Sequence, residues 1–230
     1  MGRRQLIIAI DGPAGSGKST TARIVAERLG LLHIDTGAMY RAVTLKVLEA
    51  GLKLDDQDAI ARLLKSTEVE LRQVGTVRRV ILDGRDVTDR IRDPDVTRAV
   101  SAVSRVRKVR EAMVRQQRAL GAVSGVVLDG RDIGTVVFPD ADLKIFLVAS
   151  LDKRAERRRT ELLESGMDAP LGTLKQEIER RDDLDSSREE SPLRRAPDAM
   201  ELDTSNLTID EQVELVVNKA KEILEKSERS

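Results

Sequence analysis

The sequence predicts an α/β fold, in which a parallel sheet of five strands carries helices on both faces and a smaller antiparallel insertion. Three observations support this. Short apolar segments recur along the chain, and helical stretches separate most of them, an alternation typical of parallel sheets. A glycine-rich turn joins the first apolar segment to a helix. One long connection instead alternates apolar and polar residues with period two, which predicts antiparallel strands.

The composition limits the class of protein. Forty Lys and Arg residues balance forty Asp and Glu residues among 230, so no bulk field would attract nucleic acid or an anionic membrane. The chain has no cysteine for disulfides or thiolate metal sites, and no apolar run approaches the roughly 18 residues of a membrane span. Aromatic residues number one Tyr and two Phe. We therefore expect a cytoplasmic protein with an aliphatic core that acts on neither membranes nor nucleic acid.

The predicted core strands are short apolar segments at residues 6–10, 31–35, 125–129, 143–148 and 199–202. Roughly 90 residues separate the second from the third, far more than one crossover connection needs. Within this connection, residues 67–88 alternate with period two and carry turn signals at residues 73–75 and at Asp83-Gly84. This pattern predicts a small antiparallel meander.

The first strand leads into a phosphate-binding motif. Residues 12–19 fit the P-loop pattern G-x-x-x-x-G-K-[ST] at every fixed position, and a helix that stops at Gly30 follows. Glycines let backbone N–H groups approach an anion, while a lysine reaches the β- and γ-phosphates and a hydroxyl holds Mg²⁺. We expect ATP or GTP to contact Gly12, Pro13, Ala14, Gly15, Ser16, Gly17, Lys18, Ser19 and Thr20.

The phosphate loop alone does not decide between GTPase switches, motors and small kinases. A GTPase would carry an [NT]-K-x-D motif to read guanine. The chain has Asn218-Lys219, but Ala220-Lys221 follow, so the aspartate is missing. The GTPase interpretation is therefore disfavoured.

A second motif follows the second strand, where Asp35-Thr36-Gly37 precede a helix that carries Arg41. The stretches "IDGPAGSGKST", "DTGAMYRA" and "DGRDIGTVVFPDADLKIFL", in this order and spacing, resemble the bacterial cytidylate kinases over essentially the whole chain. The resemblance implies a P-loop NTPase-type core at residues 1–37, 93–150 and 171–230. It also implies a nucleoside-monophosphate-binding insertion at 38–92 and a helical lid at 151–170, which Ser150 or Asp152 would cap.

The resemblance implies transfer of phosphate from ATP, with Mg²⁺, to CMP or dCMP by a monomer. The phosphate-loop motif gives Lys18 a catalytic role and Ser19 a contact with Mg²⁺, and Asp129, at the end of its strand, is the second expected Mg²⁺ ligand. Of the lid arginines Arg154, Arg157 and Arg158, we expect ATP contact by Arg157 and catalysis by Arg158, although their common helical spacing leaves the ranking among the three open. The resemblance assigns catalysis to Arg131 and Arg188. It assigns substrate contacts to Thr36, Arg41, Ser101, Arg110, Arg131, Asp132, Arg181, Asp185 and Arg188. Because the N4 amino group of cytosine is a donor, a carboxylate such as Asp132 suits it. The spacing predicts residues 181, 185 and 188 on one helix face. Ser101 could equally be a serine that its helix tolerates.

The pentapeptide "LDGRD" occurs twice, at residues 82–86 and 128–132. We expect the second copy to end a core strand beside the phosphate loop, and the first to form a hairpin turn with Arg85 and Asp86 in solvent. His33, in a predicted buried strand, is interpreted as structural.

Two alternatives remain. One is a kinase of the same class that acts on UMP, AMP or another small metabolite. The other is a P-loop regulatory or nucleic-acid-binding protein, for which the basic run at residues 105–118 offers Arg105, Lys108, Arg115 and Arg118.

Overall fold

The computed structural model describes residues 6–74, 77–164 and 166–228. Its contacts divide the chain into two units. The first contains the residues up to His33 and those from Gly121 onward, and the second is the continuous stretch Ile34–Leu120. The domain limits implied by the resemblance, 38–92 for the insertion and 151–170 for the lid, stay a prediction.

The core sheet confirms the five predicted strands. They are β1 (Ile7–Asp11), β2 (Leu32–Asp35), β6 (Val126–Gly130), β7 (Leu143–Val148) and β8 (Met200–Asp203), in the order β2-β6-β1-β7-β8. The pairs β1–β6, β1–β7 and β7–β8 are parallel, with Ile10 opposite Asp129 and Ile145. The carboxyl ends of these strands therefore lie along one edge, where α/β folds place their ligands.

Helices of the first unit bury aliphatic side chains in two clusters. These helices are α1 (Lys18–Leu29), α6 (Leu151–Glu164), α7 (Leu171–Ser186) and α8 (Ile209–Glu228), together with a π-helical turn at Ile133–Val137. One cluster contains Ile8, Ile145 and Val216, and a smaller one joins Ala155 of α6 to Leu174 of α7. No helix of the described residues is long and apolar enough to cross a membrane.

The second unit contains the predicted meander. Strands β3 (Val69–Val74), β4 (Val77–Leu82) and β5 (Arg85–Asp86) pair antiparallel, and the turn signal at residues 73–75 extends outside the described residues. Helices α2 (Thr36–Glu49), α3 (Gln57–Leu64), α4 (Pro94–Val103) and α5 (Arg107–Gly121) complete the unit. Met39, Leu45 and Val96 are fully buried there.

Candidate active site

The phosphate loop joins β1 to α1, and its backbone explains its glycines. Gly12 has a φ of 151°, and a Cβ on it would lie 2.2 Å from the carbonyl oxygen of Leu147. Gly15 and Gly17 also have positive φ, 72° and 91°. Gly17 is the N-cap of α1 and has no side chain to bond the first N–H groups of that helix. Those groups are therefore available to an anion.

Lys18 of the loop is buried and shares its surroundings with other cations. Its Nζ donates to the carbonyl oxygen of Pro13 at 2.7 Å. Burial lowers the pKa of Lys18 well below its usual value, and Arg131 lowers it further. A phosphate bound beside the amine would favour the charged form and raise this pKa. The buried hydroxyl of Ser16 has no hydrogen-bond partner among the described residues.

Ser19 and Asp129 form an oxygen pair beside Lys18. Oγ of Ser19 donates to Oδ2 of Asp129 at 2.5 Å. A hydroxyl and a carboxylate are ligands that suit Mg²⁺, which in nucleotide sites takes one or two carboxylates and completes its shell with phosphates and water. The described residues contain no group of three His, Cys, Asp or Glu side chains that could hold a metal. The oxygen chemistry of Ser19 and Asp129 fits a nucleotide-bound Mg²⁺.

A basic cluster surrounds the buried Asp185. Nε of Arg131 donates to Oδ2 of Asp185 at 2.8 Å, and Nη2 of Arg188 donates to Oδ1. Burial acts to raise the pKa of Asp185, but Arg131, Arg188 and Arg181 outweigh it and hold the pKa below its usual value. Arg131 and Arg181 also lower the pKa of Lys18. The cluster carries more positive charge than Asp185 offsets, which suits the binding of phosphates.

The predicted helical face of residues 181, 185 and 188 needs one correction. Helix α7 ends at Ser186, so Arg188 lies two residues beyond it and reaches Asp185 from the following segment. The three residues are still brought together, but by a bend after the helix.

Asp132 is 4% exposed and begins the π-helical turn. Its carbonyl oxygen accepts from the backbone N–H groups of Val136 and Val137. The next two N–H groups, of Ile133 and Gly134, donate to Oδ1 and Oδ2 of Asp11 at 2.8 and 2.7 Å. Burial raises the pKa of Asp11 to about 7, against these two hydrogen bonds. Asp11 therefore fixes the segment that carries Arg131 and Asp132 to the start of the phosphate loop.

The three arginines of α6 have different partners. Arg154 donates to the carbonyl oxygen of Ala14 and to Asp182, whose Oδ1 accepts from the N–H of Ala14. Arg157 donates to Oγ1 and the carbonyl oxygen of Thr204, and it lines a cavity of about 470 Å³ together with Thr160, Ser205 and Thr208. Arg158 pairs with Glu161 at the surface. Of the three lid arginines, Arg154 thus contacts the phosphate loop, and the ATP contacts of Arg157 and Arg158 stay predictions. The cap of α6 is Ser150, which accepts from the N–H of Lys153.

The second unit carries the other predicted substrate residues. Thr36 is the first residue of α2 and is 3% exposed, and Arg41 lies on the same helix, partly buried. Ser101 lies on α4. Arg110 of α5 is 5% exposed, with its guanidinium carbon 5.5 Å from the centre of the Tyr40 ring, a cation–π distance. Their substrate contacts stay predictions.

Comparisons with known proteins identify the family. The model of the cytidylate kinase family matches residues 8–222, nearly the whole chain. The chain belongs to the cytidylate kinase family. It is 51% identical over 215 residues to the cytidylate kinase of Geobacillus sp. (strain WCH70), covering 94% of this chain and 96% of the relative. It is 48% identical, with the same coverage, to that of Bacillus cereus (strain B4264).

Solved structures support the fold. A gluconokinase from Sinorhizobium meliloti 1021 matches with a TM-score of 0.50 and 16% identity, covering 98% of this chain and 97% of that one. An uncharacterized protein from Eubacterium ventriosum ATCC 27560 matches with a TM-score of 0.51 and 14% identity, covering 95% and 99%. At this identity the likeness concerns the fold, and the kinase assignment rests on the family.

Sequence reasoning missed two polar residues of this region, Asp11 and Asp182, and it interpreted His33 as structural without indicating its partner. Asp11 directly precedes the phosphate loop at the carboxyl end of a strand, which was a usable signal. Asp182 lies between the predicted Arg181 and Asp185, but it contacts Ala14, a residue 168 positions away. His33 contacts Asp129 across 96 positions. No local sequence pattern predicts contacts between residues so far apart in the chain.

Proposed function

We propose that this kinase transfers the γ-phosphate of ATP to the 5′-phosphate of CMP or dCMP. The observation that carries the proposal is the basic cluster of Lys18, Arg131, Arg181 and Arg188 beside a phosphate loop, in a chain of the cytidylate kinase family. Two highly charged phosphates must meet in this reaction, and guanidinium groups held by a buried carboxylate offset their repulsion.

The reaction needs no protein base. An oxygen of the acceptor phosphate, already anionic, forms a bond to the γ-phosphorus as the bond to the bridging oxygen breaks, and ADP leaves with that electron pair. Lys18 and the N-terminus of α1 bind the β- and γ-phosphates. Ser19 and Asp129 would hold Mg²⁺, which when bound neutralises charge on the nucleotide phosphates.

Arg131 and Arg188 position the transferring and acceptor phosphates, and Asp185 orients both guanidinium groups in advance. Arg181 and Asp185 also contact the sugar. Arg157 and Arg158 of the lid contact ATP and exclude water as it closes.

Recognition of the base and of the acceptor phosphate completes the proposal. Asp132 accepts from the N4 amino group of cytosine, with Ser101 and Arg110 as further base contacts. Thr36 and Arg41 bind the acceptor nucleotide. We also propose that the protein acts as a cytoplasmic monomer.

A coupled assay of ADP release tests the proposal directly. With ATP and Mg²⁺, we expect turnover with CMP and dCMP, less with UMP, and least with AMP, GMP and shikimate. Absence of CMP-dependent turnover, or a preference for AMP, would overturn it.

A further inference from the structure

His33 is the one histidine of the chain, and the structure places it against the proposed Mg²⁺ ligand. Its Nε2 lies 2.7 Å from Oδ1 of Asp129, and the two side chains are each 4% exposed. The other carboxylate oxygen, Oδ2, accepts from Oγ of Ser19 at 2.5 Å. Asp129 is therefore held at both oxygens, by different elements of the first unit.

The direction of the hydrogen bond follows from the chemistry of its partners. An ionised carboxylate only accepts hydrogen bonds, so the ring nitrogen that faces it must carry the hydrogen. A carboxylate this buried needs such a donor, because burying an unsatisfied charge is costly. An aliphatic side chain in β2 would fill the same space without supplying that donor.

We infer that His33 is a positioning residue for phosphoryl transfer. Its Nε2–H fixes the rotation of the Asp129 carboxylate, so that Oδ2 faces Ser19, the other residue that would hold Mg²⁺. This inference deepens the proposed function and rests on its nucleotide site, but it does not depend on which acceptor is phosphorylated. Hydrogen bonds behind a metal-ligating carboxylate typically change metal affinity by about 10- to 100-fold.

Two variants separate positioning from packing. His33→Phe fills the space and removes the donor, whereas His33→Gln retains an N–H group near the place of Nε2. Leu32→Ala, at the neighbouring residue that is 40% exposed, is the control for disturbance of β2.

The first measurement is calorimetric binding of ADP with and without Mg²⁺. We expect His33→Phe to reduce the Mg²⁺-dependent gain in ADP affinity about 10- to 100-fold while leaving metal-free ADP affinity unchanged. His33→Gln should recover most of the gain, and Leu32→Ala should keep all of it. An undiminished gain in His33→Phe, or no recovery in His33→Gln, would mean that His33 only packs.

A second measurement needs no variant and covers the case in which His33→Phe does not fold. Because the chain has a single imidazole, ¹⁵N NMR of the wild-type protein reports its hydrogens without assignment. A hydrogen on Nε2 supports the inference, and a ring protonated at Nδ1 alone contradicts it. If the wild type binds ADP but does not phosphorylate CMP, the proposed acceptor fails while both measurements still test His33.

Discussion

The two "LDGRD" segments have the same five residues and opposite structural roles. In the copy at residues 82–86, Asp83 and Gly84 have φ of 48° and 80° and form the turn between β4 and β5. Arg85 is 61% exposed at its side chain and pairs with Glu49 at 2.5 Å. The predicted solvent position of Arg85 and Asp86 is confirmed.

In the copy at residues 128–132, the first three residues belong to the buried strand β6. The side chain of Arg131 is 16% exposed and is bound to Asp185, and Asp132 is 4% exposed. The flanking sequence decides between the two outcomes. The first copy ends β4, pairs antiparallel with β3 and turns into β5, whereas the second ends β6 beside β1 and is followed by N–H groups that donate to Asp11. A short identical string therefore does not define a site; the strand that it ends does.

The largest contrast should come from the two arginines. Arg131→Ala removes a phosphate donor and leaves Asp185 less compensated, so we expect kcat/KM for CMP to fall by about 10²- to 10³-fold or more. Arg85→Ala, the matched change in the other copy, should leave kcat/KM unchanged. Steady-state kinetics of the two variants decide the matter, and equal effects would show that the copies have been assigned the wrong way round.

Asp11, whose carboxylate accepts from the two N–H groups that follow the second copy, should affect the pH dependence of stability. Because the folded-state pKa of Asp11 is about 7, above the usual aspartate value of 3.8, folded protein binds more protons than unfolded protein between these two pH values. The free energy of unfolding should therefore fall as pH rises from about 4 to 7, by up to about 1.4 kcal/mol per pH unit from this group. In Asp11→Asn, this pH-dependent part of the free energy of unfolding should be absent. Urea titrations at several pH values measure it. A slope identical to that of the wild type would contradict the assignment.

Base selection should distinguish the two aspartates that end the copies. In Asp132→Asn the amide can donate to the O4 carbonyl of uracil, so we expect the CMP:UMP ratio of kcat/KM to narrow about tenfold. Asp86→Asn, on the exposed turn, should keep the wild-type ratio. An unchanged ratio in Asp132→Asn would mean that another residue reads the base edge.

The smallest effect concerns the turn of the first copy. Gly84 has a φ of 80° with nothing within 4 Å of an added Cβ, so Gly84→Ala should lower the free energy of unfolding by about 1 kcal/mol through backbone strain alone. Gly84→Asn should lower the free energy of unfolding by less, because Asn tolerates this backbone conformation. Catalytic constants should be unchanged in both, and a loss of activity would give the first copy a role that its exposure does not suggest.

Local signals predicted most of the fold. Apolar runs located all five core strands within one residue at each end, and period-two alternation identified the meander. The phosphate loop, the end of α1 at Gly30 and the Asp83-Gly84 turn followed from residue types with specific backbone preferences. Such preferences act over a few residues, which is why a sequence reveals them.

The contacts between residues of the site were harder to predict from the sequence. The partners of Arg154, Asp182 and His33 depend on packing between distant segments, and the bend that brings Arg188 to Asp185 depends on where α7 stops. The chemical type of each residue was visible, but its partner was not. Family resemblance supplied roles for Arg131 and Asp185 without indicating that the two are bonded to each other.

The position of β1 at the centre of the sheet has a consequence for biosynthesis. This strand leaves the ribosome before its neighbours β6 and β7, which begin only at Val126 and Leu143. The phosphate loop is completed later still, because Ala14 donates a hydrogen bond to Asp182, which is synthesised 168 residues after it. The contiguous second unit is complete by Leu120, so we expect it to fold during translation before the nucleotide-binding loop, which is completed only after Asp182 has been synthesised.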